Sequence, residues 1–263
     1  MPKVGIVVPT MGTRPDYLPQ CLNSIQKAGT GANEAYVVMV APTVFDTKEF
    51  IASGLVHKIV ADPGKGLSEA INAGFDAMPD EIEYINWLGD DDLLTEGSID
   101  TGAKYLDTHP RTVMVFGGSD YMSPDGETLW TNNSGPWVVP LMRFGPNLTP
   151  QPGSLFRKSV FLDVGGLDPK YGWAFDFDLF IKFSKVGRLS FLKTVVSRFR
   201  WHPESLSVKQ RGMSVAEASK IRVSHLPSLL RPISLLWEWP VQQATLFAGK
   251  VVTARARKAE RKE

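Results

Sequence analysis

Apolar runs alternate with amphipathic stretches through the first half of the chain. The runs are rich in β-branched residues, which is typical of strands buried on both faces, and they cover residues 4–8, 35–41, 56–61, 84–88 and 113–117. Between them, residues 18–28, 66–78 and 98–106 carry apolar side chains at helical spacing. This alternation predicts an α/β fold with a parallel sheet between two layers of helices. Ligands of such sheets bind beyond the carboxyl ends of the strands.

The second half of the chain is less regular. A Ser-Pro-Asp-Gly turn at residues 123–126 separates two short strand-like runs, and a loop rich in Pro, Gly and Asn covers residues 132–152. Residues 173–187 begin with aromatic and acidic side chains and continue as a predicted helix, and β-branched residues return at 194–196. The pattern supports a single boundary, after about residue 225.

Composition and charge narrow the class of protein. The chain has 263 residues, of which 43% are hydrophobic and 22% are charged, and its formal net charge of +1 gives no reason to expect a nucleic-acid partner. The single cysteine, Cys21, rules out an internal disulfide and a Cys-rich zinc site. The opening segment KVGIVVP lacks the features of a signal peptide, and prolines and charged residues interrupt the longest apolar stretches. We therefore expect a cytoplasmic protein.

Three adjacent carboxylates follow the predicted strand at residues 84–88. Asp90, Asp91 and Asp92 repel one another, so a cation or a set of hydrogen-bond donors must offset their charge. Mg²⁺ and Mn²⁺ prefer oxygen ligands, and Mg²⁺ commonly combines one or two protein carboxylates with substrate phosphates. The triplet therefore indicates a metal–diphosphate site. The alternative is an acidic turn that caps the helix beginning near Ser98.

Three other segments carry candidate chemistry. Residues 62–72, DPGKGLSEAIN, form a glycine-rich turn before a helix, where Lys65 could contact phosphate or could simply be solvated. Asp176 and Asp178 lie at a predicted helix start, where an Asp serves either as a general base or as an N-cap, and we favour Asp176 as the base. His202 is either structural or, beside a metal, a ligand.

These segments, in this order, resemble the family 2 glycosyltransferases of the GT-A fold across about residues 3–210. The resemblance rests on VGIVVPTMGTRPDYLPQCLNSI, GKGLSEAINAGF, INWLGDDDLL, QPGSLFRKSVFLDVGGLDPKYGWAFDFDLFIKF and RWHPESLS. It implies a Rossmann-like, mostly parallel central sheet flanked by helices, with a smaller acceptor-side part. It also implies a glycosyltransferase domain at residues 1–225, with a nucleotide-sugar half at 1–117 and an acceptor half at 118–225. Residues 226–263 would form a C-terminal helical segment with a basic tail.

The resemblance assigns roles by position. Asp92 would hold a divalent cation, Mn²⁺ or Mg²⁺, while Asp90 and Asp91 would contact ribose or support the metal, and Asp176 would be the base. His202 would approach the metal or the diphosphate. The remaining expected contacts are with the nucleotide sugar through Pro9, Thr10, Arg14, Asp62, Lys65 and Asn72, and with the acceptor through Trp173 and Asp178.

Two departures from the family pattern affect these assignments. Many members end the second strand with an Asp that contacts the nucleobase, but this chain has Ala41 and Pro42, so base recognition stays open and Asp62 could share it. Many also carry a basic residue directly before the helix Asn, where this chain has Ile71, so Lys65 becomes the expected phosphate contact.

The implied reaction is transfer of a hexosyl group from a nucleotide-diphosphate sugar to a hydroxyl of a glycan or lipid-linked glycan, with inversion, as in polysaccharide or cell-envelope synthesis. Two alternatives stay open: a nucleotidyltransferase that makes sugar nucleotides, and a non-catalytic nucleotide or sugar binder. The first would need a longer basic, glycine-rich loop after the first strand than PTMGTRPD provides.

The C-terminal segment also allows two interpretations. Residues 235–247, LLWEWPVQQATLF, precede a basic tail, and this combination suits a membrane interface at the inner face of the membrane. The alternative is a helix that packs on the body of the protein or on a second subunit in a homo-oligomer.

Overall fold

The computed structural model describes residues 3–201 and 210–260. The nine strands of this described part form a single sheet, and in chain order they are β1 (Val4–Pro9), β2 (Ala35–Ala41), β3 (Lys58–Ala61), β4 (Tyr84–Trp87), β5 (Leu93–Leu94), β6 (Thr112–Met122), β7 (Thr128–Asn132), β8 (Leu155–Arg157) and β9 (Arg188–Arg200). The α-helices described are α1 (Tyr17–Ala28), α2 (Lys48–Ala52), α3 (Leu67–Asp76), α4 (Ser98–Thr108), α5 (Val138–Leu141), α6 (Lys158–Asp163), α7 (Phe175–Val186), α8 (Arg211–His225) and α9 (Leu235–Glu260). Single 3₁₀ turns cover Gly31–Asn33, Ser228–Leu230 and Pro232–Ser234.

The sheet has the strand order β3-β2-β1-β4-β8-β6-β9-β5, and β7 pairs with β6 outside this path. Strands β3, β2, β1 and β4 run parallel, β6 and β9 are also parallel, and the other pairs are antiparallel. Most of the paired residues therefore lie in parallel pairs, as the sequence predicts. The carboxyl ends of β1, β3 and β4 meet at one edge, which brings together the polar segments that follow them.

Helices cover both faces of the sheet. On one face, α3, α6 and α7 pack around Phe75, Trp87 and Phe156, and on the other face, α1 and α4 pack around Leu22 and Ile99. Burial on both faces explains why the first strands are continuous apolar runs rather than alternating ones. Gly74 brings α3 very close to the sheet, since a Cβ there would lie 2.6 Å from Cγ1 of Val7.

The strands of the second half are longer than predicted. Strand β6 continues to Met122, β9 covers Arg188–Arg200 instead of residues 194–196, and β5 was not expected. Register shifts interrupt the β6–β9 pairing at several positions, which breaks the regular alternation that would mark a long strand in the sequence. Pairing of β9 with β5 places Arg198 beside Leu93, so the end of β9 lies next to the three carboxylates.

The C-terminal helix α9 packs on α8 through a buried ion pair. Glu238 accepts hydrogen bonds from Arg222 at 2.6 and 2.9 Å and from the Ser219 hydroxyl at 2.6 Å, and both charged side chains are almost fully buried. Arg222 also donates to the Gly145 carbonyl at 3.0 Å, which connects α8 to the loop before β8. One face of α9 therefore packs on the body of the protein, as one of the two interpretations of the C-terminal segment predicted.

We expect Glu238→Ala to lower the free energy of unfolding by about 3–5 kcal/mol, because it leaves Arg222 buried without its carboxylate partner. Urea denaturation measures the change. The control is Lys170→Ala, which removes an exposed ion pair with Asp168 and should cost less than about 1 kcal/mol. A cost for Glu238→Ala as small as that of the control would contradict a structural role for the buried pair.

Candidate active site

The three carboxylates form a tight turn directly after β4. The Leu88 N–H donates to the Val7 carbonyl at 2.9 Å, and the Asp92 N–H closes the turn on the Gly89 carbonyl at 3.1 Å. Asp90 and Asp92 are buried, although both are acidic. The short strand β5 separates this turn from α4, whose N-cap is Gly97 with φ +67°. The acidic turn is therefore not the cap of that helix.

The loop after β1 supplies two partners for Asp90. Thr10 Oγ1 donates to Asp90 Oδ2 at 2.5 Å and accepts the Gly12 N–H at 3.0 Å. Arg14 donates to Asp90 Oδ1 at 2.7 Å and lies 2.9 Å from Asp91 Oδ2. Three predicted site residues, Thr10, Arg14 and Asp90, are thus brought together, and Pro9 lies beside them as the last residue of β1. Both oxygens of Asp90 have protein partners, so the prediction of Asp90 as a metal ligand gains no support.

Arg200, at the end of β9, is a second cation for the turn, and the sequence analysis did not single it out. Its backbone N–H donates to Asp92 Oδ1 at 3.0 Å and its Nε donates to the Asp91 carbonyl at 3.0 Å. Its guanidinium lies 4.2 Å from the ring centroid of Tyr17 and donates to Gln20 at 3.0 Å. The sequence did contain a signal for Arg200: it lies between two aromatic residues in RFRW, at an inward position of a strand.

Burial and the neighbouring Asp91 charge raise the pKa of Asp92 well above its ordinary value, and contacts with Arg200 only partly oppose this. A divalent cation beside Asp92 would favour the ionised carboxylate. The described residues contain no group of three His, Cys, Asp or Glu side chains able to hold a metal, and His202 lies outside them. If Asp92 and Asp91 held a divalent cation, diphosphate and water would have to complete its shell of oxygen ligands.

Asp176 lies in the first turn of α7, and the start of this helix packs against β4. Phe175, directly before it, packs on Trp87 with ring centroids 6.0 Å apart, and Trp87 precedes Asp90 by three positions in the chain. Asn147 donates to Asp176 Oδ2 at 3.0 Å. Burial raises the pKa of Asp176 to about 6, while hydrogen bonds from backbone N–H groups and Asn147 oppose the rise. Such a carboxyl can exchange a proton near neutral pH.

Asp178 has a different environment from Asp176. Its carboxylate is buried, with Lys182 Nζ at 2.8 Å and His225 Nε2 at 2.7 Å. Although burial acts in the opposite direction, His225 and Lys182 lower the pKa of Asp178. This carboxylate already serves the packing of α7 on α8, so the predicted acceptor contact through Asp178 gains no support.

Neither aspartate is the N-cap of α7. Ala174 occupies that position, and the Glu217 carboxylate from α8 accepts the N–H groups of Gly172, Trp173 and Ala174 at 3.0, 2.7 and 2.6 Å. Glu217 thus orders the loop that leads to Asp176, and its charge contributes to the raised pKa of Asp176. No sequence pattern indicated this role, because Glu217 lies 41 positions further along the chain than Asp176.

The predicted nucleotide contacts on the β3–α3 loop lie at the same edge of the sheet. Asp62 follows β3 and accepts the Gly64 N–H at 2.9 Å, and Lys65 is exposed between Gly64 and Gly66, which have φ +68° and +106°. Asn72 is different, because its amide exchanges two hydrogen bonds with the Leu167 backbone at 2.8 and 3.1 Å. Asn72 therefore joins α3 to the turn before α7, and its direct contact with a nucleotide stays a prediction.

The sequence matches the model of the family described as "Glycosyl transferase family 2" over residues 5–162, which is more than half of the chain. The chain belongs to this family. It is a glycosyltransferase, as predicted, and transfer from a nucleotide sugar is the chemistry that this membership supports. No curated protein matches the sequence at a significant level.

Solved structures of TarS from S. aureus have a similar fold. One TarS structure has a TM-score of 0.59 at 16% identity over 89% of this chain and 42% of that chain. TarS 1–349 in complex with UDP-GlcNAc has a TM-score of 0.63 at 14% identity, covering 89% of this chain and 70% of that chain. TarS 1–349 in complex with UDP has a TM-score of 0.57 at 16% identity, covering 84% and 70%. These likenesses confirm the predicted GT-A fold, and this chain spans less than half of the longer TarS chain.

We expect Asn147→Ala to raise the pKa of Asp176 further above about 6, because Asn147 stabilises the ionised carboxylate by its hydrogen bond. Titration of the Asp176 carboxyl by ¹³C NMR measures the shift, and the spectrum of Asp176→Asn assigns the resonance. Asn133→Ala, a change in a loop of the same half, is the control. An unchanged or lowered pKa in Asn147→Ala would contradict the inferred contact.

Proposed function

We propose that this protein transfers a sugar from a nucleotide-diphosphate sugar to a hydroxyl acceptor with inversion, and that Asp176 is the general base. One observation carries the proposal: a largely buried carboxyl with a pKa of about 6 lies at a helix start that packs against the strand leading to the carboxylate turn. A base of this pKa takes a proton from an acceptor hydroxyl efficiently near neutral pH. Direct attack opposite the leaving group inverts the anomeric centre.

The donor is inferred to lie across the carboxyl ends of β1, β3 and β4. In this arrangement Pro9, Thr10 and Asp62 line the nucleoside pocket, Asp90 and Asp91 contact ribose, and Lys65 contacts phosphate. Arg14 is held by two carboxylates and fixes the shape of the pocket. A uridine diphosphate sugar is the first donor to test, because TarS structures of similar fold hold UDP-GlcNAc and UDP.

Asp92, with Asp91 beside it, would hold a divalent cation, Mn²⁺ or Mg²⁺. When bound, the cation offsets the negative charge of the leaving nucleoside diphosphate. The protein prepares the site by holding Asp92 in place through the Arg200 backbone N–H. His202 is kept as a candidate ligand on the basis of the family resemblance alone.

The acceptor is inferred to approach from the side of α7, where Asp176 removes its proton. Trp173 is partly exposed in the loop that Glu217 orders, and it is proposed to stack on the acceptor sugar. A glycan or lipid-linked glycan, as used in polysaccharide or cell-envelope synthesis, fits an aromatic platform beside a general base.

Family membership favours this reaction over nucleotidyl transfer. A non-catalytic binder has no use for a carboxyl tuned to the pKa of a base, and kinetics distinguish the two. The decisive assay is release of nucleoside diphosphate from a panel of nucleotide sugars with Mn²⁺ or Mg²⁺, repeated with EDTA.

We expect the wild type to turn over one nucleotide sugar in a metal-dependent reaction. Asp92→Asn should lose this turnover, and Asp176→Asn should lower its rate by about 10²–10⁴-fold. Asparagine resembles the protonated form of aspartate, which the raised pKa of each site favours, so both variants should fold. Isothermal calorimetry with UDP separates binding from turnover, because Asp176→Asn should keep nucleotide affinity. The matched control is Asp163→Asn, an exposed aspartate on α6.

Either of two results would overturn the proposal. Full turnover by Asp176→Asn would exclude this residue as the base. Nucleotide binding without turnover of any donor, with or without glycan acceptors, would identify a binding protein instead.

We expect kcat/KM to fall tenfold per pH unit below about pH 6, because only ionised Asp176 accepts a proton. The same group should make the protein less stable as pH rises from about 4 through 6, because the native state binds the proton more tightly than the unfolded chain does. A pH profile of kcat/KM and urea denaturation at each pH measure the two effects. In Asp176→Asn, the free energy of unfolding should depend less on pH between about 4 and 6. An unchanged pH dependence would contradict the assignment of this pKa to Asp176.

A further inference from the structure

Helix α9 binds the protein partly through polar side chains. Glu238 is buried against Arg222 and Ser219, and Gln242 donates to the Ser219 hydroxyl at 3.0 Å. Trp237 packs on Phe144 with ring centroids 6.0 Å apart, and Val241 and Leu246 are half-buried. The inward side of α9 is therefore held by one buried ion pair and a few apolar contacts.

The outward side of α9 is apolar over about three turns. Leu235, Leu236, Trp239 and Phe247 are 78%, 79%, 68% and 69% exposed. The outward positions between and after them carry Pro240, Gln243, Ala244 and Ala248, so no charge interrupts this face. Leu229 and Ile233, in the turns before α9, are also exposed. We call Leu235, Leu236, Trp239 and Phe247 the outward face; an exposed apolar surface of this kind marks an interaction site.

The charge around this face is mainly positive. Residues 218–263 contain three acids, Glu238, Glu260 and Glu263, and the carboxylate of Glu238 is buried against Arg222. Exposed Arg231 and Lys250 flank the outward face, and Arg255, Arg257 and Lys258 follow in the sequence. An apolar face with Trp, flanked mainly by Lys and Arg, complements an anionic lipid surface.

A second copy of the chain fits this face less well. A twofold contact between outward faces would bring the two basic flanks together, and the like charges would repel. The described helices also include none long and apolar enough to cross a bilayer. A helix with one apolar face between basic residues suits a position in the plane of the membrane interface.

We propose that α9 is a membrane-docking helix whose outward face enters the headgroup and acyl boundary of an anionic membrane, while its inward side holds the catalytic body. This docking is independent of the sugar donor and of the catalytic base. It places the glycosyltransferase at a lipid surface.

The test is vesicle flotation of the full chain. The vesicles contain phosphatidylcholine alone or phosphatidylcholine with phosphatidylglycerol. A truncation before α9 is unsuitable, because it would leave Arg222 buried without Glu238. The test variant is Leu236→Ser/Trp239→Ser/Phe247→Ser. The matched control is Val44→Ser/Leu162→Ser/Val186→Ser, which removes apolar side chains of comparable exposure (94%, 55% and 59%) elsewhere on the surface.

We expect the wild type and the control to float with anionic vesicles and to be released by high salt. The outward-face variant should partition about 100-fold less strongly, because three apolar side chains no longer enter the lipid. Circular dichroism and thermal unfolding verify that all three proteins are folded. Failure of the wild type to float, or equal flotation of both variants, would overturn the proposal. A wild-type dimer that the outward-face variant converts to a monomer, seen by light scattering, would assign the face to a second copy instead.

Discussion

Three adjacent carboxylates at the end of a buried strand are the constraint on which the site depends. Their repulsion is offset from two directions, by Thr10 and Arg14 from the loop after β1 and by Arg200 from the end of β9. These partners come from the loop after the first strand and from the last strand, so the site is complete only when the whole sheet has formed. Burial and the Asp91 charge raise the pKa of Asp92, and the contacts with Arg200 only partly oppose this rise. A cation bound beside Asp92 would favour its ionised form.

The two aspartates of α7 have different electrostatic surroundings. Asp178 is surrounded by Lys182 and His225, whereas Asp176, two positions earlier, has only neutral hydrogen-bond donors and the nearby charge of Glu217. Positions two apart on a helix face different neighbours, so the same residue type acquires opposite pKa shifts. One carboxylate serves packing, and the other stays available for proton transfer.

The sequence was sufficient for β1, β2 and β4, because each is buried on both faces and is a continuous apolar run. The carboxylate turn was also predictable from residue type and from the family resemblance, whereas the role of Asp176 as base stays a prediction. The length of β9 was not, because bulges disrupt its alternation. Arg200, Asn147 and Glu217 were missed for a related reason: each acts on a partner at least 29 positions away, and single-sequence patterns carry no information about such pairs.

Strand β6 runs without interruption from Thr112 to Met122, across the division between the nucleotide-sugar half and the acceptor half expected after residue 117. Strand β8, from the second half, lies between β4 and β6 in the sheet. The two halves therefore cannot be exchanged between relatives as separate modules, since any cut would sever a central strand. Divergence in acceptor preference within such a scaffold has to proceed through loop insertions and side-chain replacement, and the hydrogen-bonded framework has to be inherited as one unit.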